Sequence, residues 1–141
     1  MIVTKRQNMP ELPYSLHDAR VNRIALSGDQ ITLYFDEGYY RPVDDDCLPV
    51  KGYITLEHVD FDFCHAYLLD IEENDCEKFS GERFALQAFA ARFPKMDFEI
   101  IDETYGYNQS KFTGFFYEGK NTRECMVEIY HFGAMTYYAE A

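Results

Sequence analysis

The chain of 141 residues is short of basic side chains, with 13 Lys and Arg against 25 Asp and Glu and a formal net charge of -12. Nucleic acids and anionic membrane surfaces are bound by clustered Lys and Arg, so this shortage argues against both as partners. No apolar run approaches the roughly 18 residues of a membrane span, and no basic segment followed by an apolar stretch marks an export signal. We therefore expect a cytoplasmic protein without membrane association.

Motifs of the common catalytic chemistries are also missing. The sequence contains no glycine-rich phosphate loop, no nucleophile elbow and no paired-cysteine zinc motif. Its cysteines are scattered, and two of them stand in apolar strand-like patterns, as is typical of buried free thiols. The four are Cys47, Cys64, Cys76 and Cys125. The sequence thus predicts no cofactor and favours a protein that is not an enzyme.

Apolar and aromatic residues are plentiful, at 47% and 17%, which is enough for a packed core in a single domain, 1–141. Alternation of apolar and polar residues predicts strands over much of the chain. The clearest case is a hairpin around Gly28, in which Ser27 pairs with Gln30. That register gathers the side chains of Ile24, Leu26, Ile31 and Leu33 on one face. A second hairpin is predicted around residues 119–122, with Glu118 opposite Arg123.

One helix is predicted, over about residues 81–93, with Ser80 as its N-cap and Pro94 as its stop. We expect an α+β fold in which this helix packs on a mainly antiparallel sheet of about six to eight strands. Residues 1–15 contain two prolines and no periodicity, so they are expected to form an irregular N-terminal arm.

The negative charge is concentrated in residues 31–80, which hold thirteen acids and three bases. Clustered acids speed the encounter with a basic protein and disfavour wrong partners. Two acidic runs are therefore the candidate binding surface. They comprise Asp44, Asp45, Asp46, Glu72, Glu73, Asp75 and Glu77. Six tyrosines in predicted turns or near the chain ends are a second candidate contact surface. They are Tyr39, Tyr40, Tyr105, Tyr107, Tyr137 and Tyr138.

A metal-dependent or acid–base enzyme is an alternative interpretation. In a predicted strand, His58, Asp60 and Asp62 project from one face, where an imidazole and two carboxylates suit a divalent metal. His17 would add a second imidazole. The same alternation is also typical of the solvent face of any half-buried strand. A further alternative is a small-molecule-binding domain with its pocket between sheet and helix.

Two other histidines fall on the apolar faces of their predicted strands. His65 shares its face with Phe63, and His131 shares its face with Ile129. Imidazole titrates near neutral pH, so either residue is a candidate general base. The other interpretation is a core histidine whose hydrogen bonds are satisfied within the protein.

The segment Leu16-His17-Asp18-Ala19-Arg20-Val21, the turn at Gly28-Asp29 and the strand from Ile31 to Phe35 resemble part of a known group of proteins. They are similar to the opening of small bacterial β-rich proteins of unknown function, including some immunity proteins of polymorphic toxin systems. The resemblance spans Leu16 to Phe35 and assigns no functional residue. It implies a compact, cytoplasmic, non-catalytic module that neutralises a partner protein by binding it. We further expect that an edge strand could pair with a second copy of the chain.

Overall fold

The computed structural model describes residues 1–71 and 80–141. Within these ranges the chain forms twelve strands, a short 3-10 turn at Phe61–Phe63 and one α-helix, α1 (Leu86–Arg92). The strands are β1 (Ile2–Arg6), β2 (Arg20–Ser27), β3 (Gln30–Phe35), β4 (Tyr39–Val43), β5 (Asp46–Val50), β6 (Gly52–Leu56), β7 (His65–Asp70), β8 (Gly81–Ala85), β9 (Phe98–Gly106), β10 (Gln109–Glu118), β11 (Asn121–Tyr130) and β12 (Met135–Ala139).

Ten of these strands form one antiparallel sheet in the order β1-β12-β6-β3-β2-β9-β10-β11-β7-β8, and β4 pairs only with β5. The predicted α+β class with a mainly antiparallel sheet is therefore confirmed. The predicted six to eight strands are too few. The missed strands are short, and two of them contain prolines, so apolar alternation did not reveal them.

The sheet bends back on itself around a shared core. Arg6 on β1 lies over the ring of Tyr105 on β9, 4.0 Å from its centroid, although four strands separate β1 from β9 in the sheet. The strands from β1 to β2 thus face those from β9 to β8. Buried residues of both halves belong to one hydrophobic core, whose largest fully buried side chains are Tyr39, Tyr137, Phe89, Phe98, Phe112, Phe116, Leu16, Ile31, Leu33, Ile54, Leu56 and Leu68.

Residues 1–15 are not an irregular arm throughout, because β1 pairs with β12 from Ile2 opposite Ala139 to Arg6 opposite Met135. This strand is held by a partner more than a hundred residues away in the sequence. Its outward side chains are exposed and carry no amphipathic signal. The predicted irregularity applies only to the segment that follows β1.

The predicted helix is also partly wrong. Residues 81–85 form β8 along β7, and the helix begins only at Leu86, with Ala85 at its N-cap. Ser80 donates its hydroxyl hydrogen bond to Asp70 instead of capping a helix. Leu86 and Phe89 are buried as their helical spacing indicated. No helix in the described residues is long and apolar enough to cross a membrane.

The two predicted hairpins have different outcomes. Between β2 and β3, Ser27 pairs with Gln30 as predicted, and Gly28 adopts a φ of +60° that glycine accommodates without strain. Between β10 and β11, Glu118 pairs with Asn121 and not with Arg123, because Gly119 and Lys120 alone form the turn. The register differs by two residues, so each side chain keeps its predicted face.

Tyrosines account for much of the core. The Tyr39 ring lies 5.2 Å from that of Tyr14 and 6.0 Å from that of Tyr137, between ring centroids. The Tyr39 hydroxyl donates to the carbonyl oxygen of Tyr138 at 2.6 Å. Burial raises the pKa of Tyr137 to about 12. Tyr39 and Tyr137 therefore lie in the core and not on the predicted contact surface. Tyr138 lies on the opposite side of the sheet, where its ring stacks on that of Tyr53 with 4.6 Å between the centroids.

We expect the Tyr39→Phe substitution to lower the free energy of unfolding by about 1–2 kcal/mol, because it removes a buried donor from the Tyr138 carbonyl. Urea denaturation followed by circular dichroism measures the effect. Tyr107→Phe is the matched control, since Tyr107 is 80% exposed and should tolerate loss of its hydroxyl. Equal stability of the two variants would contradict the anchoring role of Tyr39.

Candidate functional site

The acidic triplet lies at the turn of the β4–β5 hairpin, which leaves the sheet between β3 and β6. Asp44 and Asp45 form the turn, Asp46 begins β5, and all three are exposed. None of them forms an ion pair with a described residue. Beside them Val43 is 38% exposed and Leu48 is 42% exposed. We call residues 39–50 the acidic hairpin.

Prolines close both edges of the acidic hairpin to further strand pairing. Tyr40 directs its N–H and carbonyl to Ser15 and not to β5. Pro42, two residues further along β4, therefore also faces outward, and Pro49 lies opposite Tyr40 on the other strand. Because proline has no N–H to donate, these two edges are poor templates for the addition of a further strand.

The second predicted acidic run is not described together with the first. Glu72, Glu73, Asp75 and Glu77 lie outside the described residues. Asp70, which ends β7, is described, and its carboxylate accepts a hydrogen bond from Ser80. Four strands of the sheet separate β7 from β3, which leads into the acidic hairpin. Of the two predicted acidic runs, only the triplet lies within the described residues.

The predicted strand face at His58, Asp60 and Asp62 does not exist. His58 follows β6 in a left-handed conformation, with φ of +53°. Asp60 caps the 3-10 turn and accepts a hydrogen bond from the backbone N–H of Asp62. The His58 imidazole is exposed, with Nδ1 lying 3.2 Å from a carboxylate oxygen of Asp29. His58, Asp60 and Asp62 therefore lie in a turn and not in the predicted strand.

His17 lies elsewhere, in the segment before β2, and its imidazole contacts the backbone of β9. Its Nδ1 is 2.6 Å from the carbonyl oxygen of Ile101, and this hydrogen bond raises the pKa of the imidazole. Within residues 1–71 and 80–141, no group of three His, Cys, Asp or Glu side chains is placed to hold a metal ion. The geometry on which the metal-dependent alternative was based is therefore absent from the described structure.

A cluster of titratable side chains around His65 lies where β7 pairs with β8 and β11. His65 Nδ1 is 3.4 Å from the Glu128 carboxylate, and Arg83 donates to His65 Nε2 at 3.0 Å. Tyr67 donates to the same oxygen of Glu128 at 2.9 Å. Each imidazole nitrogen of His65 thus already has a partner. His65 is therefore an interstrand polar contact in this structure.

A cleft of about 350 Å³ opens where the segment after β1 crosses the β9–β10 turn and the start of the β11–β12 connection. We call it the Arg6 cleft, because Arg6 lines one wall and is 8% exposed. The opposite wall holds Ser110 and His131, whose Oγ and Nε2 atoms are 2.7 Å apart. α1 does not line this cleft, so it is not the pocket between sheet and helix that the sequence suggested.

His131 is buried, as its apolar strand face predicted. Burial lowers the pKa of its imidazole, and the nearby Arg6 charge lowers this pKa further. The hydrogen bond to the Gly133 carbonyl raises the pKa, but burial has the larger effect. The neutral ring therefore donates from Nδ1 to Gly133 at 2.9 Å, which leaves Nε2 to accept from the Ser110 hydroxyl. Sequence reasoning missed both Arg6 and Ser110, because neither stands in a recognisable motif.

Comparison of the chain with protein-family models, with curated proteins and with solved structures found no match.

We expect the buried imidazole to make stability depend on pH. An unfolded histidine takes up a proton near pH 6.5, whereas folded His131 resists it, so the unfolded state binds more protons below that pH. The free energy of unfolding should fall as the pH drops from 6.5. Urea denaturation of the wild type and His131→Gln between about pH 8 and pH 5 isolates the contribution. The difference between the two curves should shrink on acidification, and a difference independent of pH would contradict the prediction.

Proposed function

We propose that this chain is a non-catalytic protein-binding module, immunity-like in type, that presents the acidic hairpin to a basic partner protein. The observation that carries the proposal is the placement of three exposed carboxylates, which have no ion-pair partner within residues 1–71 and 80–141, beside exposed Val43 and Leu48. Such a combination supplies both the charge that attracts a partner and the apolar surface that a bound partner would desolvate.

Two features of the charge distribution support this proposal, the net charge of the whole chain and the local charge of the triplet. The net charge of -12 attracts a basic protein from beyond direct contact, which raises the association rate. The triplet then acts locally, because Asp44 to Asp46 lie together at the end of a hairpin. Unpaired carboxylates on a protein surface are stabilised when Lys or Arg side chains approach them. A basic partner would therefore be oriented towards this end of the molecule.

The base of the acidic hairpin is fixed. Tyr39 begins β4 and is fully buried, with its hydroxyl bonded to the Tyr138 carbonyl. Tyr40 adds two backbone hydrogen bonds to Ser15, at 2.7 and 3.0 Å. A hairpin held in this way loses less conformational entropy on binding than a free loop would. The prolines in both strands prevent the same hairpin from pairing indiscriminately with other strands.

The test uses the basic proteins encoded beside the gene for this chain, because toxin-neutralising proteins of the immunity type are expected to bind such partners. Association is measured by surface plasmon resonance at low and high salt. For the triple variant Asp44→Asn, Asp45→Asn, Asp46→Asn, we expect the association rate constant to fall about tenfold at low salt, and less when salt screens the charges.

The matched control neutralises three exposed acids elsewhere, through Asp62→Asn, Asp102→Asn and Glu124→Gln. Both triple variants change the net charge equally, so only position distinguishes them. The control should lose markedly less than the hairpin variant. Equal losses would show that the hairpin is not the binding site, and failure to bind any of the neighbouring basic proteins would overturn the proposed function.

The apolar part of the acidic hairpin is tested separately with Val43→Ser and Leu48→Ser. These side chains are exposed in the free protein, so their replacement should leave folding stability almost unchanged. In the complex they should raise the dissociation rate constant while leaving the association rate constant close to that of the wild type. An unchanged dissociation rate in both variants would exclude them from the contact.

A further inference from the structure

Arg6 is a buried cation for which the described part of the chain supplies no carboxylate partner. It is the last residue of β1, and the Tyr105 ring covers one face of its guanidinium at 4.0 Å. Its Nη2 donates to the carbonyl oxygen of Met9 at 3.1 Å. Its Nε is buried without any hydrogen-bond partner, and Arg6 forms no ion pair with a described residue. Buried charges in proteins are normally paired, so this arrangement needs a physical reason.

The nearby acid Glu103 forms no ion pair with Arg6. One oxygen of the Glu103 carboxylate accepts from the Tyr105 hydroxyl at 2.7 Å. Its other oxygen accepts from the backbone N–H of Leu16, also at 2.7 Å. Glu103 is thus engaged by two neutral donors on either side. The Tyr105 ring is consequently held in place under the guanidinium by the same contact that occupies the acid.

Other polar groups of the cleft bond to one another. The Ser110 hydroxyl is directed to His131 Nε2, and the Gly133 carbonyl accepts from His131 Nδ1. Asn8 and Asn108, which also line the cleft, bring amide groups that can donate hydrogen bonds. A guanidinium and neutral amide donors in a partly enclosed cleft are the groups that bind the oxygens of a carboxylate or a phosphate.

We propose that the Arg6 cleft binds a small oxyanion, a carboxylate or a phosphate group, through the guanidinium of Arg6. The cleft volume of about 350 Å³ suits a ligand of metabolite size. The bound oxyanion pairs a negative charge with a guanidinium that forms no ion pair with a described residue. The proposal is independent of the acidic hairpin, which is formed by different strands and carries charge of the opposite sign.

The binding experiment titrates the isotope-labelled protein with four probes and follows backbone and Arg side-chain signals by NMR. Sodium acetate and succinate test for a carboxylate, whereas inorganic phosphate and phenyl phosphate test for a phosphate. Saturable shifts should be concentrated at Arg6, Tyr105 and His131, and they should distinguish the two classes by affinity. Absence of saturable shifts at these residues with all four probes, up to about 50 mM, would overturn the proposal, because a weaker site has no useful occupancy.

Substitution of Arg6 tests whether the guanidinium carries the affinity. Arg6→Gln should weaken binding of the preferred probe at least about tenfold, as expected for loss of charge-assisted hydrogen bonds. Arg6→Lys keeps the charge without the planar fork and should bind with intermediate affinity. The matched control is Arg23→Gln, because Arg23 also lies over a tyrosine ring, that of Tyr34, but outside the cleft. Equal affinity in Arg6→Gln and the wild type would contradict the assignment.

A second variant keeps the test informative if Arg6→Gln fails to fold. Asn8 and Asn108 have φ values of +51° and +57°, which glycine adopts readily, so Asn8→Gly with Asn108→Gly removes both amides without straining the backbone. We expect this double variant to remain folded and to bind the preferred probe more weakly than the wild type. Unaltered affinity would show that the anion does not occupy the Arg6 cleft.

Discussion

The fold depends on apolar burial between the two halves of a single bent sheet. Among the described strands, the two halves of the sheet pair where β2 meets β9, over Arg20 with Glu99 and Val21 with Phe98. The preceding segment lengthens this seam, since Ile100 exchanges backbone hydrogen bonds with Asp18 and Ala19. Because so few backbone hydrogen bonds join the two halves, most of the free energy that holds them together comes from side-chain packing. Burial of many apolar side chains contributes far more in total than a few backbone hydrogen bonds. Both candidate sites lie at the margins of that packed interface.

The local parts of this fold could be predicted from the sequence, and the long-range parts could not. The β2–β3 hairpin follows from alternation and a glycine turn, so its register was predicted correctly. The β10–β11 pair shows the limit, because a register shift of two keeps every side chain on its face and no apolar pattern distinguishes the alternatives. β1 and β8 were missed because each is defined by its pairing with another strand, β12 and β7. Apolar spacing in one segment carries no information on such a partner.

The same contrast applies to the sites. The Asp44 triplet is visible in the sequence because its charges are adjacent, and exposure could be expected from the surrounding prolines. The His58 row was wrongly interpreted because alternating charge was taken to indicate a strand, whereas Asp60 uses its carboxylate to cap a turn. Arg6 and Ser110 are a hundred residues apart in the chain and meet only because the sheet bends. A pair of this kind becomes visible only with the three-dimensional structure.

The position of β12 has a consequence for folding during protein synthesis. Among the described strands β12 comes last in the sequence, yet it lies inside the sheet, between β1 and β6, and β1 pairs with no other described strand. The ribosome therefore releases most of the strands before the first one can find its neighbour. Until β12 emerges, one edge of β6 is unpaired and the core lacks the buried ring of Tyr137. The pairing of β12 with β1 and β6 is consequently a late step of folding, which joins strands from distant parts of the sequence.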